Sequence, residues 1–302
     1  MINGFSYNVY VPSLRRSVRY SELNSMTYMV ILKYIQNDDD DGLEHMLEHL
    51  IEQLCVEEIN MKKLTRLDKY CIVMTIIMVC VGNTLQYNIL CPETDKEYMI
   101  DIVLGNIISQ INEIDVTDMR VDLDERNYIT MTTPGSIRGS ITNTLSQVCI
   151  NGKTYDVTGL TDDQLNGLFD KLPYNIFSEL QQTYKNINKQ CDDIVYMQYK
   201  SPYVKDSREV KYRFNLYNDE FFKFIKLLLR EDLLNYYKMY YSLTTKFKFD
   251  MTYIQSITPT EIKMYLGMVR DDIKKKQEQL EQASGKQKQN LPVSAPRNDM
   301  DS

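Results

Sequence analysis

No tryptophan occurs in the 302 residues, and alanine is reduced to two, Ala283 and Ala295, both within the last twenty positions. Basic tracts are missing as well. Net charge is −7, and the densest cationic cluster is Arg15, Arg16 and Arg19, which reads as a solvated face. A protein that neutralises many phosphates needs such a tract, so nucleic-acid binding is excluded as the main task. Long apolar runs are also lacking. The longest, CIVMTIIMVCV at 71–81, reaches about half of a membrane span and reads as a buried helix. The opening stretch MINGFSYNVYVPSLRRSVRY has no charged-then-apolar signal layout, so the chain is expected to be soluble, not membrane-bound, and not exported by a signal peptide. No C-x-x-C occurs among the six cysteines, Cys55, Cys71, Cys80, Cys91, Cys149 and Cys191; reduced thiols in a cytoplasm-like compartment are expected. A Gly-rich phosphate loop and a G-x-S-x-G elbow are both absent, and no cofactor is expected.

What remains is ordinary in bulk and skewed in detail. Hydrophobic residues make up 43% and charged residues 25%, enough for a real core, with 23 Tyr and 16 Met. The length suits about two domains. Residues 1–20 read as extended or irregular. Helices are expected from near Ser21 to Gln36, from about Leu43 to Cys55 with Asp41 as N-cap and Glu44 three residues on, and over 66–80 with Thr65 as cap and Gly82 as stop. Strand-like TLQYNIL and EYMIDIVL flank CPETDK as a hairpin. TTPGSIRGS (132–140) reads as a loop, and Asn151-Gly152 as a tight hairpin turn. Helices resume at Thr161 and after Pro173. DIVYMQY and EVKYRFNLY read as strands, and 219–243 and 258–282 as long helices. The fold class expected is α+β, predominantly helical: a helical domain with small β-hairpins over 1–115, a mixed helix/strand domain over 116–282, and a disordered polar tail over 283–302.

One short motif suggests chemistry. HMLEH at 45–49 spells H-x-x-E-H, a zinc-protease signature, and His45 and His49 are the only histidines. They share a helix face. On a wheel, however, Leu43, Met46, Leu47, Leu50, Ile51 and Leu54 form one apolar stripe and the histidines fall opposite it. A catalytic zinc needs a cleft and a third protein ligand, which here would have to be Asp, Glu or Cys. Asn37, Asp39, Asp41, Gly42 and Glu48 also mimic the spacing of a calcium loop. Position one is Asn, Glu44 stands where an apolar residue is usual, and an acidic helix start explains the same letters. Cys91-Pro92 resembles half a zinc knuckle, but Thr94 stands where the second Cys would be. No metal is therefore assigned, and the chain is not expected to be an enzyme.

The more telling feature is FFKFIKLLLREDLLNYYKMYYSL, which leaves little polar face and reads as a helix buried on most sides. Tyr and Met are enriched at interfaces, so Phe221, Phe224, Leu228, Tyr236, Tyr237 and Tyr240 are candidate partner-binding residues.

The segment 64–107 resembles the T4-type baseplate and hub-assembly protein family of contractile-tailed phages. Its helix opens Leu-x-x-Leu/Phe-Asp, matched by Leu64, Leu67 and Asp68, and closes in a Ser/Cys-Val-Gly turn, matched by Cys80, Val81 and Gly82. A hairpin with a Cys-Pro tip follows, then an Ile-Asp-Ile strand, matched by Cys91, Pro92, Ile100, Asp101 and Ile102. Two helices leading to a Cys precede it, matched at Cys55. The likeness extends over about 10–180 and more loosely over 220–270. Met78 stands where many relatives have Arg, and Thr94 removes any inherited metal site. The resemblance implies structural or hub-assembly work through protein–protein contacts with other tail and baseplate proteins, in several copies. It places the chain in the host bacterial cytoplasm during assembly and in the virion if it is a structural component. A tail-assembly chaperone that leaves before completion, for example one serving the tape-measure protein, is the alternative. A zinc-dependent hydrolase using HMLEH is a second one.

Overall fold

The computed structural model describes residues 5–289 apart from positions 92, 115–117, 134–140, 158–159, 190–193, 207, 214–219 and 230–232. The chain opens on a hairpin, β1 (Ser6–Val11) with β2 (Arg16–Ser21), in which Val9 faces Val18. Val9, Val11, Val18 and Tyr20 alternate inward and are buried. This period-two pattern holds Tyr20 and Ser21 in a strand, so helix α1 (Ser25–Gln36) begins later than the expected Ser21. Its cap is Asn24, whose side chain accepts from the Thr27 amide at 2.8 Å.

Helix α2 (Asp40–Leu54) also starts differently. Asp39, not Asp41, is the cap, accepting from the Gly42 amide at 2.8 Å. The corner between α1 and α2 is tight: a Cβ on Gly42 would lie 2.5 Å from the Tyr34 ring and 2.5 Å from an Asp39 carboxylate oxygen. Gly42→Ala is therefore expected to cost about 1–3 kcal/mol of stability, the usual range for overpacking, although alanine is the better helix former. Urea denaturation measures it, and a stabilised variant would show that the corner relaxes freely.

Helix α3 (Arg66–Cys80) is capped as its sequence indicates, by a reciprocal box between Thr65 and Asp68. It ends at Val81, with Gly82 at φ 148° and its amide reaching back to Ile77 O at 3.1 Å. The helix is buried almost all round, which suits an apolar run too short to cross a membrane; among the described residues no helix is long and apolar enough to do so. Strands β3 (Thr84–Leu90) and β4 (Glu97–Val103) pair in full register, Leu90 facing Glu97. A short helix, α4 (Leu104–Asn112), follows. It was hidden in the apolar continuation of β4.

The middle of the chain holds a four-stranded antiparallel meander, β5 (Met119–Asp122), β6 (Tyr128–Met131), β7 (Leu145–Ile150) and β8 (Lys153–Asp156). Only the last hairpin is readable in the sequence. Its turn puts Asn151 and Gly152 at φ 51° and 76°, the conformation that a two-residue hairpin requires. Strands β5 and β6 have four residues each, too few for alternation to stand out. The Pro-Gly part of the expected 132–140 loop lies outside the described residues. Helices α5 (Asp162–Phe169) and α6 (Tyr174–Lys189) cover the sheet. Val121, Ile129, Met131, Val148, Leu165 and Leu180 gather there into a hydrophobic cluster of their own.

After β9 (Val195–Tyr199) and β10 (Val210–Arg213) the chain turns helical: α7 (Glu220–Leu228), α8 (Leu233–Tyr241), α9 (Met251–Ser256) and α10 (Pro259–Gln289). The single helix expected over 219–243 is two helices, and α8 runs into a π-turn at Ser242–Lys246. Thr244 and Thr245 hydroxyls donate to the Tyr240 and Tyr241 carbonyls there, which competes with regular α-helical bonding. The expected disordered tail from residue 283 is corrected in part, since α10 continues to Gln289; residues 290–302 lie outside the described residues.

These C-terminal helices join the first hydrophobic cluster, alongside β1–β4 and α1–α4. Tyr28 and Tyr236 meet edge to face at 5.3 Å. The buried Ser25 hydroxyl donates to Ile254 O at 2.5 Å and accepts from the Tyr240 hydroxyl. Thr260 donates to the Cys80 carbonyl at 2.8 Å. The architecture is mixed α+β with four small antiparallel sheets among the described residues.

Candidate functional site

Helix α8 has two apolar faces. Tyr236 and Tyr240, one turn apart, point inward and are 0% and 3% exposed. Leu234, Tyr237 and Tyr241 follow i, i+3, i+7 spacing on the opposite side and are 56%, 43% and 65% exposed. The inward tyrosines are fixed by Tyr28 and Ser25; burial raises the Tyr240 phenol above its usual range, only partly offset by the Ser25 hydrogen bond. The outward stripe sits on a helix held rigidly from behind. Helix α10 adds Met264 and Met268, also one turn apart and outward.

The six expected partner-binding residues are thus divided. Phe224, Leu228, Tyr236 and Tyr240 are buried in the chain's own first core, and Tyr237 faces solvent. The Phe221 side chain lies outside the described residues. Leu234 and Tyr241 were missed because the segment was read as apolar all round; splitting its letters by α8's own wheel would have separated the two stripes.

Much of the tyrosine content is internal mortar. Tyr98 on β4 meets Tyr199 and Tyr203 edge to face at 5.8 and 5.9 Å, and Tyr196 meets Phe224 at 5.2 Å. These contacts join β4, β9–β10 and α7. Cys91 lies at the same end, its sulfur 3.0 Å from the Ser201 hydroxyl, a hydrogen bond that draws its thiol below the usual range.

The HMLEH letters are placed as the wheel requires. His45 and His49 are exposed, while Leu47 is buried. Glu48, the base of the metalloprotease signature, is engaged elsewhere: both its oxygens accept from the Lys69 ammonium, at 2.6 and 2.7 Å. Among the described residues no group of three or more His, Cys, Asp or Glu is arranged to hold a metal ion. Of the calcium-like set, Asp39 is spent on the helix cap. Cys55, Cys71, Cys80, Cys91 and Cys149 are free thiols. A cleft of about 670 Å³ opens between the β1–β2 turn, the end of α4 and Thr132. Among the described residues Arg15, Glu113 and Asp118 line it, with neither histidine nor cysteine.

The residues of the Leu-x-x-Leu-Asp pattern form a joint. Leu64 and Leu67 are buried, and Asp68 is 0% exposed. One Asp68 oxygen accepts from the Thr65 amide and hydroxyl, and the other from the Ser13 amide in the β1–β2 turn at 2.9 Å. The pattern therefore starts α3 and ties the N-terminal hairpin to it. The family model described as T4 bacteriophage base plate protein matches residues 4–198. The chain belongs to that family. No curated protein and no solved structure matches the chain. The base plate match takes in the Asp68 joint, the Cys80-Val81-Gly82 turn, the β3–β4 hairpin and the whole meander. It ends within β9, ahead of α7–α10, so the looser likeness over 220–270 is not part of it. The outward tyrosine stripe thus lies on an element that the family match does not include, packed against elements that it does.

Proposed function

We propose that this chain is a baseplate or hub component that works by protein–protein contact, with the outward face of α8 as a docking surface for a neighbouring tail protein. The observation that carries this reading is the pairing of family membership with the solvent-facing stripe Leu234, Tyr237 and Tyr241. Rigid, half-exposed aromatic side chains are the usual anchors of such contacts. The role calls for shape and apolar burial and for no catalytic group. Its place would be the tail end of the virion, reached after assembly in the host cell.

The substitution Tyr237→Asp with Tyr241→Asp separates docking from folding, because both residues are exposed. Stability is expected to change by no more than about 0.5 kcal/mol, while incorporation into particles falls sharply. Mass spectrometry of purified virions carrying the double variant, against wild type, reads this out. Equal incorporation would remove the surface from the proposal. Absence of the wild-type chain from virions would replace the structural reading with that of an assembly factor that departs, as a tail chaperone would.

A further inference from the structure

The sheets are small, so most of the described strands lie at a sheet edge. An unpaired edge is a row of open amides and carbonyls, and folded proteins blunt it with charge, shortness or a cover. Most edges here are blunted. Strand β2 is closed by Cys55 and Val56, the Val56 amide donating to Arg19 O at 2.9 Å. The Gln110 side chain closes β9 at Val195 with two hydrogen bonds of 2.9 Å. On β4 the Glu97 carbonyl accepts from the Tyr203 hydroxyl at 2.9 Å, and on β1 the Tyr10 carbonyl accepts from the Cys71 thiol at 3.5 Å. Strands β5, β8 and β10 have four residues each and carry Arg120 and Asp122, Lys153 and Asp156, and Lys211 and Arg213.

Among the described strands, β3 has none of these devices. Its seven residues, TLQYNIL, include no charge, proline or glycine. Register determines which of its groups are open. Cys91 N donates to Lys96 O and Leu104 N to Asn83 O, each at 2.9 Å, extending the β3–β4 ladder at its two ends. The odd-numbered residues of β3 therefore bond to β4, and the amides and carbonyls of Thr84, Gln86, Asn88 and Leu90 point away from it. No hydrogen bond from any other described residue reaches those groups, and all four residues are exposed. A neutral seven-residue run left open in this way is an aggregation hazard.

The letters select the occupant. Read from either end, TLQYNIL keeps its character: Leu85 mirrors Ile89, Gln86 mirrors Asn88, and Tyr87 is the centre. A second β3 laid antiparallel about a two-fold axis at Tyr87 sets Thr84 opposite Leu90 and Gln86 opposite Asn88. Both pairs join outward-pointing residues, so each exchanges two backbone hydrogen bonds. On the exposed face the Gln86 and Asn88 side-chain amides meet across the junction. On the other face Leu85 meets Ile89, and Tyr87 meets its own copy. These three side chains already pack with the first core, and no like charges are brought together. We propose that β3 pairs with β3 of a second copy of this chain, making a four-stranded antiparallel sheet, β4–β3–β3–β4, about a two-fold axis. The contact is independent of the docking surface on α8.

Sedimentation of the full chain over a range of concentrations tests it. A monomer–dimer equilibrium is expected, with nothing larger, because a two-fold contact closes on itself. Asn88→Pro removes an outward amide that β4 does not use. It should leave the chain monomeric, with the far-ultraviolet circular dichroism of the wild type. Gln86→Lys alone and Asn88→Glu alone should each weaken the dimer, since like charges then lie diagonally across the axis. The two together set a lysine opposite a glutamate on both sides of the axis, and should dimerise about tenfold more tightly than either alone. The Tyr237→Asp, Tyr241→Asp variant should dimerise as the wild type does. A chain monomeric at every concentration, a dimer that survives Asn88→Pro, or a dimer lost with the two α8 tyrosines would each overturn the proposal. So would a paired lysine–glutamate variant no tighter than its halves.

Discussion

Asp68→Ala is expected to destabilise the protein by about 3 kcal/mol or more, a large fraction of the stability of an ordinary domain. Removing a helix cap alone costs about 1 kcal/mol. Here the lost carboxylate is fully buried and also accepts from the Ser13 amide, the Thr65 amide and the Thr65 hydroxyl. A buried donor left without its acceptor costs about 1–3 kcal/mol, which applies to the Thr65 amide and hydroxyl; the Ser13 amide, on an exposed residue of another element than α3, loses its tether. Its loss therefore loosens the β1–β2 turn as well as fraying the helix. The charge is felt nearby: burial first and the Asp68 carboxylate second push the Cys71 thiol up to about 12. Thr65→Ala provides the control, because it removes the reciprocal cap but leaves the Ser13 tether; about 1 kcal/mol is expected. Urea unfolding of both variants measures the difference. An Asp68→Ala chain no less stable than Thr65→Ala would mean that the tether contributes nothing.

The parts of this fold that were legible in the sequence are those whose signals are local. Thr65, Asn151-Gly152 and Thr161 each announce a cap or a turn locally, and each is found in place. The misreadings come from competition between neighbours. Asp39 and Asp41 are chemically equivalent caps, and it is Asp39, tied by its amide to Tyr34 O, whose carboxylate reaches the Gly42 amide. Tyr20 and Ser21 could begin a helix on propensity, but pairing with Tyr7 and Ser6 holds them extended. The candidate site was half legible for a similar reason. Composition marked 220–241 as apolar and aromatic, yet which tyrosines face inward depends on Ser25 and Tyr28, some 210 residues upstream. The exposure of His45 and His49 was legible from periodicity, whereas the engagement of Glu48 by Lys69 is a contact between α2 and α3 that spacing does not reveal.

A chain ending at residue 200, which retains the entire family-matched region, is expected to lose cooperative folding. The match stops at residue 198, but the core does not. Phe224, Ile225, Tyr236, Tyr240, Leu243, Ile254 and Ile262 are each at most 3% exposed and belong to the same cluster as α1 and α3. Burial of one such side chain is worth about 1.5–3 kcal/mol, so the seven together supply on the order of 10–20 kcal/mol before the entropy of ordering their helices is subtracted. A whole domain is stable by only about 5–15 kcal/mol. Truncation also removes Tyr236 from the edge of Tyr28, and it deprives the buried Ser25 hydroxyl of both its partners. The shortened chain should precipitate, or keep its far-ultraviolet helix signal while binding a hydrophobic dye and melting without a sharp midpoint. Circular dichroism and dye fluorescence against the full chain decide the matter. A sharp transition within a few degrees of the full-length midpoint would show that the base plate region folds alone and that α7–α10 are appended to it. The expected collapse would instead make the outward face of α8 a part of the folded body, held by the same side chains that close the family core.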